Sequence, residues 1–340
     1  MSTTTQIKTA IDFLKKDPLF YLFLSSKELF HSNFWFWLSE KNKNEASKLF
    51  SAKVISSPDY KREKKSKQKN EESIIVDLLI SDKEKPAVVI ENKVKDFPRI
   101  EQLKLIEKYY KDYNTEFVLV SLFSASHLKL GVWKTMSYED IARKINANNY
   151  NCDDFEKALI DRYKSFILKL SDLASLLPRT HDYNFAINFD EELFASLNEI
   201  KFWEVYQKMR ASELVSEFEK KFPGVETYYG INHQKATIGF CLEFSSYKIG
   251  IQLENNQFRR YIHGARAQEI GLEMQNSSLF FKSYWNKKTD FLKYGHDWRY
   301  QYDLMGKPSS FNNLFSDIDR ELEILRKNKS TIIGIIKKYP

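Results

Sequence analysis

The fold of this chain is decided by two apolar segments, Ser73-Ile-Ile-Val-Asp-Leu-Leu-Ile80 and Pro86-Ala-Val-Val-Ile-Glu-Asn-Lys-Val94. Both are rich in Val, Ile and Leu, a composition that favours β-strands. Residues 81–85 between them are polar and charged, as in segments that close a hairpin. The sequence therefore predicts two antiparallel strands joined by a short turn.

Three charged side chains interrupt these strands. Because side chains alternate between faces, Glu91 and Lys93 share one face of the second strand. Asp77 lies on the face of the first strand that also carries Ile75 and Leu79. If the two faces coincide, two carboxylates and one ammonium converge at the sheet surface. Such charges are costly in a half-buried strand unless they are paired or bound to a metal ion.

This combination of charges suits a hard divalent cation. Mg²⁺ is usually held by one or two carboxylates, keeps several waters and accepts phosphate oxygens as further ligands. A lysine one pleat from the second carboxylate can hold or deprotonate a metal-bound water, or neutralise charge that grows on a phosphate. The residues therefore indicate phosphodiester hydrolysis.

The following segments predict the rest of the sheet. Apolar residues at three- and four-residue spacing predict an amphipathic helix from Ile100 to Tyr113. The nearly continuous apolar run from Glu116 to Phe123 predicts a central strand covered on both faces. A strand, helix and strand of this length normally form a right-handed parallel crossover. Near Trp133 we expect a last strand or turn, followed by a helix capped at Ser137.

Asp77 followed by Glu91-Asn92-Lys93 on the next strand resembles the signature of the PD-(D/E)XK nuclease superfamily. The context adds to the match, because a helix and another apolar strand follow the Glu-x-Lys tripeptide. The segment Lys27-Glu-Leu-Phe-His-Ser-Asn-Phe34 is also similar to the first helix of one family in that superfamily. This longer match is more specific than the tripeptide.

The resemblance implies an α/β fold with a restriction-endonuclease-like mixed sheet flanked by helices. It implies a nuclease that depends on Mg²⁺, for which Mn²⁺ can substitute. The metal ligands would be Asp77, Glu91, the backbone carbonyl of Asn92 and Glu28, directly or through water. The catalytic set implied by the resemblance comprises Glu28, Asp77, Glu91, Lys93 and Gln102, with His31 as an auxiliary residue close by.

The same residues also have ordinary interpretations. Glu28 and His31 are three apart on one helical face, and periodicity alone favours a surface glutamate with a histidine that caps or packs. Ser26 is the expected N-cap of their helix. Gln102, taken alone, would be an exposed polar residue, so its role depends on the resemblance.

A basic run from Lys61 to Lys69 leads directly into the Asp77 strand. Such a run is usually a solvated loop. Its position near the proposed site favours contacts with nucleic-acid phosphates as the alternative. The basic residues of the run are Lys61, Arg62, Lys64, Lys65, Lys67 and Lys69.

Composition sets the frame for the whole chain. With 340 residues, 42% of them hydrophobic, two domains are expected, and 26 Phe, 19 Tyr and 6 Trp exclude a disordered chain. We place a nuclease-like domain at 1–178 and an α+β domain at 179–340. Cys152 and Cys241 lie far apart without metal-ligand spacing, which favours a reducing cytoplasm. Without a leader or an apolar run near ~20 residues, we expect no membrane segment.

The second half has a different pattern. We expect a helix from Glu191 to Phe222, several antiparallel strands between residues 227 and 263, a helical segment from Phe280 to Tyr302, and a final helix from Asn312 to Lys338. One cluster offers either a nucleic-acid surface or core aromatics with solvated arginines, and the second interpretation is favoured. The cluster consists of Arg259, Arg260, Tyr261, His263, Arg266, Trp285 and Trp298.

Three classes of function follow. The first is a metal-dependent nuclease acting on nucleic acid, with DNA favoured over RNA, for which the resemblance implies a role in restriction or phage defence. The second is a catalytically silent nucleic-acid-binding relative. The third is a protein-interaction module whose C-terminal domain forms a homodimer or binds a partner protein. The net charge of +7 permits a polyanionic partner without requiring one.

Overall fold

The two sheets of this chain belong to two separate units, each with its own helices. The computed structural model describes residues 3–25, 27–66, 74–94, 100–123, 125, 130–178, 191–232, 235–254, 257–281, 292–294, 298–300 and 311–339. The first unit comprises Met1–Leu177 and Glu192–Val205, and the second comprises Pro178–Glu191 and Tyr206–Pro340. Residues 192–205, which the sequence analysis assigned to the second domain, thus pack with the first unit.

The first unit combines helices with one mixed sheet. Its helices are Thr3–Lys15 (α1), Pro18–Ser25 (α2), Lys27–Lys41 (α3), Lys43–Lys48 (α4), Ile100–Tyr110 (α5), Tyr138–Lys144 (α6), Asp154–Leu176 (α7) and, except for its first residue, Glu191–Glu199 (α8). Its strands are Pro58–Ser66 (β1), Ile74–Asp82 (β2), Lys85–Lys93 (β3), Glu116–Ser121 (β4) and Trp133–Ser137 (β5). The strands follow the order β1-β2-β3-β4-β5 across the sheet.

The predicted hairpin is confirmed, and its turn is shorter than residues 81–85. Strands β2 and β3 are antiparallel, with Leu79 opposite Val89. Lys83 and Glu84 have φ angles of 47° and 70°. Positive φ at both central residues matches the two-residue turn whose twist suits a hairpin.

The predicted parallel crossover is also confirmed. Strand β4 lies between β3 and β5 and runs parallel to both. Every residue of β4 is buried. On one face of the sheet, Leu103 and Ile106 of α5 share a core cluster with Leu79, Val89 and Leu119. Helix α3 packs against β1, β2 and β3.

The expectation of a solvated loop is wrong for residues 61–66 of the basic run. Strand β1 includes these six residues, and Lys61 pairs with Leu79 of β2. Backbone hydrogen bonds to β2 form this strand, and charged side chains on an exposed edge strand hide the usual apolar alternation. The predicted cap Ser26 lies outside the described residues, as do Lys67 and Lys69.

The second unit is built on an antiparallel sheet, as predicted. Its helices are most of Trp203–Lys221 (α9), then Ala267–Asn276 (α10), Phe311–Lys327 (α11) and Lys329–Ile336 (α12). Its strands are Glu226–Asn232 (β6), Lys235–Phe244 (β7), Tyr247–Glu254 (β8), Gln257–His263 (β9), Leu292–Tyr294 (β10) and Trp298–Tyr300 (β11). They follow the order β10-β11-β9-β8-β7-β6, and a buried apolar cluster joins this sheet to helices of the unit.

Three helix predictions in the second half need correction. The helix expected from Glu191 to Phe222 is interrupted at residues 200–202, where Lys201 has a φ of 54°. The segment from Phe280 to Tyr302 contains strands β10 and β11, whose aromatic residues favour strands as readily as helices. The final helix breaks at Asn328. Among the described residues, no helix is long and apolar enough to cross a membrane.

Candidate metal centre

The structure brings Asp77, Glu91 and Lys93 together at one end of the first sheet. The register that places Leu79 opposite Val89 continues towards Asp77 and Glu91. The backbone N–H of Asn92 donates to Asp77 Oδ2 at 2.7 Å. Lys93 Nζ lies 2.7 Å from Glu91 Oε1. Because Asn92 and Lys93 follow Glu91 directly, one short stretch of β3 contacts both carboxylates.

Glu91 is the most deeply buried of the three charged groups. Its side chain is 3% exposed. Oε1 accepts hydrogen bonds from Lys93 Nζ and from Gln102 Nε2, the latter at 2.8 Å. Oε2 is buried and has no hydrogen-bond partner among the described residues. A buried carboxylate oxygen without a donor is unfavourable, and bound water or an ion is the usual explanation.

Both carboxylates of the centre have raised pKa values. Burial and the nearby charge of Glu91 raise the pKa of Asp77 to about 7. Burial also raises the pKa of Glu91, against the attraction of Lys93. Burial alone would lower the pKa of Lys93, but the charge and hydrogen bond of Glu91, together with Asp77, raise it. The site is therefore short of positive charge while Lys93 stays protonated at neutral pH.

Glu28 approaches the centre from the first turn of α3. Its Oε1 lies 3.4 Å from the backbone N–H of Val94, directly after β3. Its charge contributes to the raised pKa values of Asp77 and Glu91. Glu28 thus faces the same end of the sheet as the two strand carboxylates.

These residues fit a hard cation only in part. Across the described ranges, no group of three or more His, Cys, Asp or Glu side chains is placed to hold a metal ion. Glu28 does not complete such a group with Asp77 and Glu91. Two carboxylates with one unpartnered buried oxygen nevertheless suit Mg²⁺ or Mn²⁺, which take water and phosphate as their remaining ligands.

His31 packs behind the site. It is fully buried, and its Nδ1 lies 2.9 Å from the hydroxyl of Tyr163. Its ring contacts Phe23 and Tyr138, with centroids 5.4 Å and 4.6 Å away. Burial lowers the pKa of His31 to about 3, so the ring stays neutral. These contacts favour packing over an auxiliary chemical role.

The basic run is only partly described. Arg62 is exposed, donates from Nη1 to Asn33 Oδ1 at 2.5 Å, and stacks over Phe36 at 4.6 Å from the ring centroid. Lys61 is exposed and lies 3.8 Å from Asp59. The backbones of Lys64 and Lys65 pair with Val76 and Ile75, close to Asp77, but their side chains lie outside the description.

Sequence reasoning missed the side chain of Asn92 and its partner Tyr138. Asn92 Nδ2 donates to the backbone carbonyl of Glu28 at 2.8 Å and lies 3.4 Å from Ser32 Oγ. The hydroxyl of Tyr138 donates to Asn92 Oδ1. The Asn-Tyr pair is 46 residues apart in sequence, and no periodicity or motif in this chain links the two positions.

The arginine and aromatic cluster of the second unit is largely internal. Arg260 is buried and donates to Glu321 Oε2 from Nε at 2.8 Å and from Nη2 at 2.5 Å. Tyr261 is buried, and Arg259 pairs with Glu254. The favoured interpretation as core aromatics holds for Tyr261, but Arg260 is not solvated. Trp285 and the side chain of Trp298 lie outside the described residues.

Comparison with known proteins gave no relative. No family model, no curated protein and no solved structure matches this chain. The functional interpretation therefore rests on the residues of the site and on their geometry.

Proposed function

We propose that this chain is a metal-dependent nuclease with a restriction-endonuclease-like core. The observation that carries the proposal is the pair of carboxylates with raised pKa values, the buried Glu91 and the half-buried Asp77, with Lys93 Nζ 2.7 Å from Glu91. The order of elements supports it, since α3, β2, β3, α5 and β4 follow the order of helix, two strands, helix and strand on which the resemblance rests. A carboxylate pair that only stabilised the fold would be expected to have enough donors.

Each residue has a distinct task in this proposal. Asp77 and Glu91 would hold Mg²⁺ or Mn²⁺, and Glu28 would act through water. The bound metal would polarise the phosphate and make water more acidic. Lys93 is protonated at neutral pH, because neighbouring carboxylates raise its pKa. It would therefore orient the attacking water and offset negative charge on the phosphate, rather than act as a base.

Gln102 and the exposed basic residues would serve orientation and binding. Gln102 donates to Glu91 Oε1 and so fixes the carboxylate rotamer. Arg62 is held by Asn33 and Phe36, so it would lose little freedom when it binds a phosphate. Nucleic acid is the proposed substrate, with DNA as the first candidate.

A cleavage assay tests the proposal. The purified protein is incubated with single- and double-stranded DNA and RNA in Mg²⁺, Mn²⁺ or EDTA. We expect cleavage with either metal and none in EDTA, and Glu91→Gln should remove it. Glu116→Gln is the matched control, because Glu116 is a buried glutamate of the same sheet that contacts Ser51 and Lys134 instead of the proposed centre.

Two other results would replace the proposal. Salt-sensitive binding without cleavage would identify a silent nucleic-acid-binding protein. If the protein neither binds nor cleaves any of the four substrates, the protein-interaction module becomes the better interpretation.

A further inference from the structure

Asn92 contacts both sides of the candidate centre. Its backbone N–H donates to Asp77 Oδ2 at 2.7 Å. Its side-chain Nδ2 donates to the backbone carbonyl of Glu28 at 2.8 Å. Glu28 and Asp77 belong to α3 and β2, so Asn92 connects the two elements that carry these carboxylates to β3.

The side chain of Asn92 is fully buried, and both its amide nitrogen and its amide oxygen form hydrogen bonds. An asparagine amide offers two donors and one carbonyl acceptor. The donors face the carbonyl of Glu28 and the hydroxyl of Ser32, both on α3. The acceptor receives the hydroxyl of Tyr138. This distribution fixes which end of the amide faces α3.

Tyr138 is itself held firmly. It is the first residue of α6 and follows the N-cap Ser137, which forms a reciprocal capping box with Asp140. Its side chain is fully buried, and its ring lies 4.6 Å from that of His31, centroid to centroid. The hydroxyl therefore has little freedom to turn away from Asn92.

We propose that Tyr138 is a positioning residue for Glu28, acting through the side chain of Asn92. The inference rests on the proposed metal centre. If the Tyr138 hydroxyl is removed, Asn92 Oδ1 is left buried without this donor, and the amide no longer has a fixed orientation towards α3. The first turn of helix α3 is then held less firmly, and the Glu28 carboxylate moves relative to Val94 N–H and the two strand carboxylates.

A double-mutant cycle read by Mn²⁺ calorimetry separates this role from a general loss of stability. The proteins compared are the wild type, Tyr138→Phe, Glu28→Gln and the double variant. We expect Tyr138→Phe to weaken Mn²⁺ binding about tenfold, the lower end of the range for residues that orient metal ligands. In the Glu28→Gln background the same change should have little further effect, because two residues in one network are not additive.

Tyr60→Phe provides the matched control. Tyr60 is also buried in the first unit, and its hydroxyl donates to the backbone carbonyl of Lys43 at 2.9 Å. This variant should keep the wild-type Mn²⁺ affinity even if it lowers the melting temperature. If Tyr138→Phe does not fold, Asn92→Ala takes its place in the cycle, since it removes the same side-chain link and keeps the backbone N–H that serves Asp77.

The outcomes distinguish the inference from the proposed function. A wild type that binds no Mn²⁺ would refute the metal centre and the inference with it. A wild type that binds Mn²⁺, with Tyr138→Phe equal to Tyr60→Phe, would refute only the positioning role. If Tyr138→Phe reduces Mn²⁺ affinity equally in the wild type and in Glu28→Gln, Tyr138 does not act through Glu28. This result would also overturn the inference.

Discussion

The first sheet contains buried carboxylates at two places, Glu116 and Glu91, and the two differ in their hydrogen-bond donors and in the direction of their pKa shifts. Glu116, at the start of β4, is 8% exposed and accepts from Ser51 Oγ at 3.1 Å and Lys134 Nζ at 3.0 Å. Burial alone would raise the pKa of Glu116, but these hydrogen bonds and Lys53 lower it. Glu91, near the end of β3, is 2% exposed, and its pKa is raised together with that of Asp77.

The difference shows that this fold is able to satisfy a buried carboxylate. At Glu116, two lysines and a hydroxyl supply donors to both oxygens. At Glu91 and Asp77, one lysine interacts with both carboxylates, and Glu91 Oε2 has no hydrogen-bond partner within the described chain. Sites that violate the usual rules of polar satisfaction are expected where function requires it. The contrast therefore supports a binding role for Asp77 and Glu91.

The largest expected effect is on the cleavage rate. It distinguishes Lys93, beside Glu91, from Lys134, beside Glu116. Lys93→Ala should lower the cleavage rate about a hundredfold or more, because removing an electrostatic stabiliser of the transition state costs on the order of 3 kcal/mol. Substrate binding should stay nearly as tight. Lys93→Arg should not restore the rate, because a planar guanidinium on a longer stem does not occupy the place of a compact ammonium.

Lys134→Ala is the control for Lys93, because Lys134 pairs with Glu116. Single-turnover cleavage and equilibrium binding should be measured for each variant. Lys93 has no role in the cleavage step if Lys93→Ala cleaves at the wild-type rate, or if this variant loses cleavage only because it no longer binds the substrate.

The second expected effect is on the free energy of unfolding. Neutralising Asp77 should raise it, whereas neutralising Glu116 should lower it. Without metal, Asp77→Asn should stabilise the protein, because it removes a partly buried charge next to Glu91. Glu116→Gln should destabilise it, because Lys134 and Ser51 are left without their charged partner. The free energy of unfolding from urea titrations measures both. Mn²⁺ should stabilise the wild type but not Asp77→Asn, because only a protein that binds the ion gains from it.

The pH dependence gives the sign of each effect. The pKa of Asp77 is raised to about 7 in the folded protein. The stability that protonated Asp77 contributes is therefore fully present below its unfolded pKa and is lost as the pH rises through 7. The gain from Asp77→Asn should therefore be larger at pH 8 than at pH 5, by on the order of 2 kcal/mol. The pKa of Glu116 is lowered, so the stability that ionised Glu116 contributes is present above its unfolded pKa and is lost as the pH falls through its folded pKa. A gain from Asp77→Asn that does not change between pH 5 and pH 8 would contradict the assignment.

The sequence predicted local features of the first unit well, since those features depend on short segments. Composition and alternation along residues 74–93 indicated the hairpin and the shared face of Glu91 and Lys93, whereas the approach of Asp77 to that face was only a condition, which the register of the two strands meets. Ser137 is the predicted cap of α6. Each of these follows from the period of a strand or from the chemistry of a helix end. The roles of Asp77, Glu91 and Lys93 stay predictions.

Contacts between distant segments were not predictable in the same way. The Tyr138 contact to Asn92 depends on how α6 meets β3, which no local pattern encodes. Strand β1 was missed because its stability comes from pairing with β2, while its own residues are charged. The buried pair of Arg260 and Glu321 was missed because arginine is usually exposed, and the carboxylate on α11 helps to make its burial tolerable.

The smallest expected effect tests whether the edge strand β1 binds the substrate. Arg62 and Lys61 are exposed on the strand next to β2, and the backbones of Lys64 and Lys65 pair with residues beside Asp77. Basic side chains at this position would neutralise phosphates of a nucleic acid that lies across the candidate centre.

Removing one basic group that binds a phosphate should reduce the slope of log affinity against log salt concentration by about 0.7 to 0.9. Arg62→Gln combined with Lys61→Gln should therefore flatten the slope for double-stranded DNA by up to about 1.8, twice the value for one contact, and weaken binding similarly for every sequence. The control pair is Lys53→Gln with Lys134→Gln, which removes the same charge beside Glu116. Titrations from about 50 to about 300 mM salt, with Asp77→Asn in every protein to prevent cleavage, give the slopes. If the two pairs flatten the slope equally, the effect reflects net charge alone, and β1 is not a binding strand.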